Sequence, residues 1–138
     1  MRNVLATLAG LAVGMVFNMG LIELNMRVLH PAPEGLDPMD PEQQEAFQAY
    51  VDSLPAAAFL VIMAAHLGQA LIGGWLAACL GSSRPVLLAL IVGAISLAGG
   101  VMMMMTVTGP PWMMVELPLY LLLPYLAGRR VARSRGGG

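Results

Sequence analysis

Four long apolar stretches, separated by one long polar segment and two short connectors, organise this sequence. The first runs from about residue 4 to residue 29 and is interrupted by Asn18, Glu23, Asn25 and Arg27. The second, residues 56–80, has His66 and Gln69 as its only strongly polar members, and the third covers residues 85–107. The fourth, residues 111–127, is the shortest and carries Glu116, Pro118 and Pro124. A bilayer core accepts about 20 mainly apolar residues of helix, because hydrocarbon gives backbone groups no partner and a helix satisfies its own. The pattern predicts an all-α fold: a four-transmembrane-helix bundle in one integral membrane domain, residues 1–138. Pro85 suits the first turn of the third span, where a missing amide proton is no loss.

Within the first three stretches, small residues recur at helical spacing. Ala6, Gly10, Gly14 and Asn18 form one stripe; Ala70, Gly74 and Ala78 a second; Ala89, Gly93 and Gly100 lie near one face of the third. Small residues let helix backbones approach closely in lipid, so spans one to three are expected to form a tight bundle. The fourth, Leu-rich and without such a stripe, is expected at the periphery or in a partner's groove.

The long polar segment, residues 30–55, divides in two. His30-Pro31-Ala32-Pro33-Glu34-Gly35-Leu36-Asp37-Pro38 is held extended by its prolines. Asp40-Pro41-Glu42-Gln43 reads as a helix start, with Asp as cap, Pro in the first turn and acid near the positive end of the dipole. On that short helix Ala46, Phe47, Tyr50, Val51 and Leu54 share a face, which predicts an interfacial helix lying on the outer membrane surface with its apolar side against the bundle.

Composition sharpens this picture. Of 138 residues, 58% are hydrophobic and 11% charged, against about 25% charged in an average soluble domain. The formal charge of -1 gives no reason to expect nucleic acid as a partner. All seven basic residues are arginine, and their placement sets the orientation by the positive-inside rule. With the N-terminus inside, Arg2, Arg84, Arg129, Arg130, Arg133 and Arg135 are cytoplasmic and only Arg27 is not; the long loop carries six acids and no Arg. The expected location is the bacterial cytoplasmic (inner) membrane, multi-pass, with both termini cytoplasmic and membrane lipid as the surrounding partner. Trp112 then meets the outer interface, and Trp75 and Tyr125 the inner one. The tail, residues 128–138, is basic and glycine-rich and is expected to be mobile near the inner headgroups. Arg2 ahead of an apolar run resembles a signal peptide, but the run exceeds an h-region of roughly 7–15 residues and no small-x-small site follows it, so it is read as an uncleaved span. The lone Cys79 permits no intramolecular disulfide.

Charged groups in hydrocarbon cost about 2.5–3.5 kcal/mol each on insertion scales, which makes Glu23, His66 and Glu116 the candidate site. At 1.5 Å per residue, Glu23 lies about 9 Å, Glu116 about 8 Å and His66 about 16 Å below the outer boundary. Each has a structural reading: Glu23 with Arg27 as a helix pair, His66 with Gln69 bonding across helices, Glu116 with Tyr120 on a shared face near the helix start. The functional reading is that the three converge to relay protons, or to hold a divalent metal with His30 or water, supported by Asn18, Arg27, Gln69 and Tyr120. No span contains H-x-x-x-H or E-x-x-H spacing, so the identity of any metal stays unspecified, as does any cofactor. Methionines at 102–105, 113 and 114 offer soft ligands for Cu(I), yet four in succession point around a whole helix and suit flexible packing.

The stretch His30 to Pro38 and the run Gly73-Gly74-Trp75-Leu76-Ala77-Ala78 resemble a broad group of small, uncharacterised bacterial inner-membrane proteins with four helices. The resemblance covers most of the chain in layout and implies no activity. Small multidrug transporters also have four helices and a glutamate in the first, but the long outer loop and one-sided arginines depart from a dual-topology exporter. Two function classes follow: a non-catalytic accessory or scaffold subunit engaging like subunits, as a homo-oligomer, or a larger membrane complex; and a small ion-handling transporter using the Glu/His cluster. No nucleophile, zinc or phosphate motif points to an enzyme.

Overall fold

The computed structural model describes residues 1–37 and 40–136; Pro38 of the outer-loop stretch and the last two glycines of the tail lie outside the described residues. Those described are helical or irregular, with five α-helices: α1 Arg2–Leu24, α2 Gln44–Asp52, α3 Ala56–Leu80, α4 Pro85–Thr106 and α5 Glu116–Gly136. A π-helical turn, Asn25–Leu29, extends α1, and 3-10 turns Pro41–Gln43 and Pro111–Val115 lead into α2 and α5. Three of these are long and apolar enough to cross a membrane by length and composition: Arg2–Leu29, Ala56–Leu80 and Pro85–Thr106.

The helix ends follow from local chemistry. α3 starts after the extended Pro55 and stops at the extended Gly81. Pro85 occupies the first turn of α4, behind Arg84 in the left-handed region at φ 53°. Asp40 caps the turn before α2 as its sequence implies: its Oδ1 accepts from Glu42 N at 2.9 Å and its Oδ2 from Gln43 Nε2 at 2.9 Å. Gly35, at φ 76°, turns the loop where an L side chain would be strained.

α3 is the hub, packing against α1 on one side and against α4 and α5 on the other, while α1 and α4 barely meet. The α1–α3 contact is backbone to backbone: a β-carbon on Gly73 would fall 2.6 Å from the carbonyl oxygen of Gly10, and Gly10 faces the Gly73 carbonyl in return. The sequence stripe of α1 is thus used as a close-packing face. The stripe of α4 has a different partner from the one expected, because Gly93 lies against Tyr120 and Pro124 of α5, and Gly100 against the Tyr120 ring. α5 is therefore an integral part of the packing, and the tight unit is α1–α3 joined to α3–α4–α5. Pro124 explains how α5 comes so close. Having no amide proton, it leaves the Tyr120 carbonyl without its usual i+4 donor, and that oxygen would lie 2.5 Å from a β-carbon on Gly93. The expected mobile tail is helical to Gly136, with Arg135 Nη2 donating to the Cys79 carbonyl at 2.6 Å.

One end of the bundle gathers both termini and the α3–α4 turn. Arg2 Nε donates to the Leu80 carbonyl at 2.9 Å, joining Arg135 in satisfying free carbonyls at the C-terminus of α3. Asn3 Oδ1 accepts from the amide of Ser82 at 2.8 Å. The opposite end is covered by α2. Tyr50 and Val51 form a buried cluster with Phe59 and Met113, and Phe47 and Leu54 pack against it, whereas Ala46 is exposed and does not belong to the contact face. Gln48 pairs with both backbone groups of Thr108, each at 2.9 Å. The Tyr50 hydroxyl donates to the His30 carbonyl at 2.7 Å, and burial raises its pKa above the ordinary value. The neutral phenol is the donor, so this contribution is complete below pH 10 and is lost as pH rises through the raised value.

The glycine contacts separate by substitution. Gly73→Ala, which drives a methyl into the Gly10 carbonyl, should destabilise by about 1–3 kcal/mol, while Gly99→Ala, with open space around it, should change little. Thermal unfolding of both variants in detergent measures the difference; equal midpoints would contradict the interlock.

Candidate functional site

The interior polar groups come from four helices, and the close approach at α3 brings them into reach of one another. Three residues before Gly73 is Ala70, and beside it Gln69 faces two ways: Asn18 Nδ2 of α1 donates to its Oε1, and its own Nε2 donates to Ser96 Oγ of α4 at 3.3 Å. Each residue needs the others, because lipid or apolar packing supplies no alternative partner. One turn further toward the α2 end, His66 of α3 faces α5. Its Nδ1 lies 3.2 Å from Glu116 Oε1, and the Tyr120 ring stacks on the imidazole with centroids 6.4 Å apart at 29°.

Glu116 is the unusual member. Its side chain is 1% exposed against 15% for His66, and its second oxygen, Oε2, is buried with no hydrogen-bond partner. A carboxylate so placed has one bond where it could take several. At 3.2 Å, His66 Nδ1 and Glu116 Oε1 are within hydrogen-bond distance, the imidazole N–H donating to the carboxyl oxygen in the tautomer that carries its proton on Nδ1. Glu116 sits where the 3-10 turn Pro111–Val115 becomes α5, and the freed amides of a helix start favour acidic groups there.

The structure brings together two of the three candidate ionisable residues. His66 and Glu116 meet; Glu23 does not join them. Glu23 pairs with Arg27 one turn on, with side chains 54% and 77% exposed, so this is an outward-facing helix pair. Of the supporting residues, Asn18, Gln69 and Tyr120 line the interior as described. His30 belongs to the α2 end, where its carbonyl holds Tyr50 and its ring Nδ1 is buried without a partner. Among the described residues no three His, Cys, Asp or Glu side chains are grouped to hold a metal ion, which leaves the metal version of the site without a ligand set.

Two interior residues escaped the sequence reading as site members. Ser96 is the single polar residue between Pro85 and Met105, and that isolation was its signal. Asn25 is fully buried at the start of the π-helical turn, its Nδ2 donating to the Ala58 carbonyl at 3.4 Å and its Oδ1 unpaired. A π-turn within a helix often marks a functional position, and Asn25 opens this one with its side chain directed at α3.

Compared with known protein families, curated proteins and solved structures, the chain matches none. The site's chemistry must carry the functional reading.

Removing the partner of a buried carboxylate costs more than removing both. His66→Leu should therefore destabilise the protein by about 3 kcal/mol, and adding Glu116→Leu should recover most of that loss. Unfolding midpoints of the single and double variants in detergent provide the comparison; a double variant weaker than the single would contradict the pairing.

Proposed function

We propose that the chain is a four-span protein of the bacterial cytoplasmic membrane, with both termini cytoplasmic, acting as a non-catalytic accessory or scaffold subunit. α5 serves as the fourth span. Its apolar part, Glu116–Ala127, rises about 18 Å as α-helix, and the preceding 3-10 turn adds about 10 Å, close to a hydrocarbon thickness of about 30 Å. The arginines gathered at the end that holds both termini support a cytoplasmic assignment for that end. α2 then lies at the outer interface.

The observation that carries the scaffold reading is the filled interior. Gly10 and Gly73 meet backbone to backbone, Gly93 meets Tyr120, Val92 and Glu116 are fully buried, and α2 covers the outer end. An interior occupied by backbone and side chains suits a fastened framework more than a conduit. A second reading is favoured by one feature, the unpartnered Oε2 of buried Glu116 beside His66. Intramembrane ionisable groups mark proton pathways by default, so this alternative is a small proton-handling protein with Glu116 and His66 as the exchanging pair.

The two readings separate with a tagged chain at native expression, extracted in mild detergent. The scaffold reading expects migration on a native gel well above the 14.5 kDa of one chain, with reciprocal pull-down of defined companions that Glu116→Gln leaves in place. A lone chain whose Glu116→Gln variant folds normally but loses proton flux in reconstituted vesicles would replace that reading with the second.

A further inference from the structure

We infer that the groove between α3 and α5 beside Arg130 is a binding site for one anionic phospholipid, its acyl chain along the helices and its phosphate among Arg129, Arg130 and Arg133. The inference rests on the membrane reading above and on neither functional alternative. Two adjoining depressions share Leu126 and Arg130. One, of about 640 Å³, is walled by Leu71, Ile72 and Trp75 of α3 and by Leu123 and Ala127 of α5. The other, of about 330 Å³, is lined by Arg129, Arg130 and Arg133. The larger falls in the roughly 300–1,000 Å³ range of small-molecule clefts, and its walls are apolar up to the arginine at its end. A free phosphate would use the arginines and leave this wall empty; a phospholipid uses both.

Charge complementarity supplies the sign. Residues 53–115 contain no Asp or Glu, and none follows Glu116, so among the described residues the end of the bundle where α5 finishes carries arginines and no acidic side chain. Arg2 and Arg135 are committed to the carbonyls of Leu80 and Cys79. Arg129 packs its guanidinium over the Tyr125 ring at 5.5 Å, and among the described residues it forms no ion pair with a carboxylate. Arg130 and Arg133 are exposed on the same helix face region. The three arginines line one depression, so an anion seated there meets several positive groups at once, and the anion that lies beside an apolar groove at a membrane surface is a lipid phosphate. The Gly74–Pro124 contact fixes the groove, because it sets the α3–α5 crossing between Leu71 and Trp75 on one side and Leu123 and Ala127 on the other.

The test uses the full-length protein purified in mild detergent, with native mass spectrometry reading bound phosphatidylglycerol, phosphatidylethanolamine and soluble glycerol phosphate. Wild type should retain one phosphatidylglycerol at least ten-fold more tightly than phosphatidylethanolamine. The Arg129→Gln, Arg130→Gln, Arg133→Gln triple variant should lose phosphatidylglycerol affinity on the order of a hundred-fold. Ala127→Trp, which fills the groove and keeps every charge, should also lose at least ten-fold, and Arg84→Gln, away from the groove, should bind as wild type. Circular dichroism melts confirm that each variant is folded. The site is overturned if the triple variant or Ala127→Trp binds as wild type, if glycerol phosphate displaces the lipid, or if Arg84→Gln weakens binding as much as the triple variant. Failure of the membrane reading shows earlier and separately, as protein recovered in the soluble fraction without detergent.

Discussion

Close approach of backbones at α3 is the constraint on which the rest of the molecule depends. Between helices in lipid there is no hydrophobic driving force, so association rests on van der Waals contact and a few polar bonds. α3 presents Gly73 toward α1 and Gly74 toward α5 and α4, where Pro124 and the Ala89 carbonyl meet it. These neighbours are thereby drawn to one helix, and the distances that matter for chemistry follow. Gln69 is one turn from Gly73, which is why a single amide side chain can reach both Asn18 and Ser96. His66 is one turn further on, which is why it meets Glu116.

Proline has a double role in α5. At residue 124 it removes an amide proton and so frees the Tyr120 carbonyl, while its ring packs against Gly74 and Gly93. The same turn holds the Tyr120 ring over His66. Packing and polar chemistry in this helix therefore meet within one turn, from Tyr120 to Pro124. The α2 end adds a second, independent fastening, in which Gln48 supplies the donor and acceptor that Thr108 would otherwise lack.

Much of the fold was legible in the sequence because the solvent constraint is strong. The bounds of α3 were readable, since Pro55 and Gly81 flank a run that is apolar apart from His66 and Gln69, and Pro85 marked the start of α4. Asp40 read correctly as a cap because capping is a local rule. What failed was partner choice. A stripe of small residues states that a neighbour comes close but not which one, so Gly93 and Gly100 were assigned to the first three spans when they meet α5. The lack of a small-residue stripe in the fourth span points to the periphery, yet Pro124 brings α5 into close contact with Gly74 and Gly93. The helical tail was hidden by its terminal glycines, although arginine is a good helix former. For the candidate site, the stripe of Ala6, Gly10, Gly14 and Asn18 already placed Asn18 on the contact face of the first span, and the four-residue spacing of Glu23 and Arg27 already allowed a local pair. What spacing along one helix does not carry is which residues of different helices meet, so the separation of Glu23 from His66 and Glu116 appears only in the packed structure.

Whether α5 crosses the bilayer decides the account, since three crossings would put the termini on opposite sides. In a Cys79→Ser background, single cysteines at Ser53, Ser83 and Ser134 can be challenged in intact cells with a thiol reagent that does not cross membranes. Four crossings predict that Ser53→Cys reacts from outside while Ser83→Cys and Ser134→Cys react only after permeabilisation. Reaction of Ser134→Cys in intact cells alongside Ser53→Cys would contradict it.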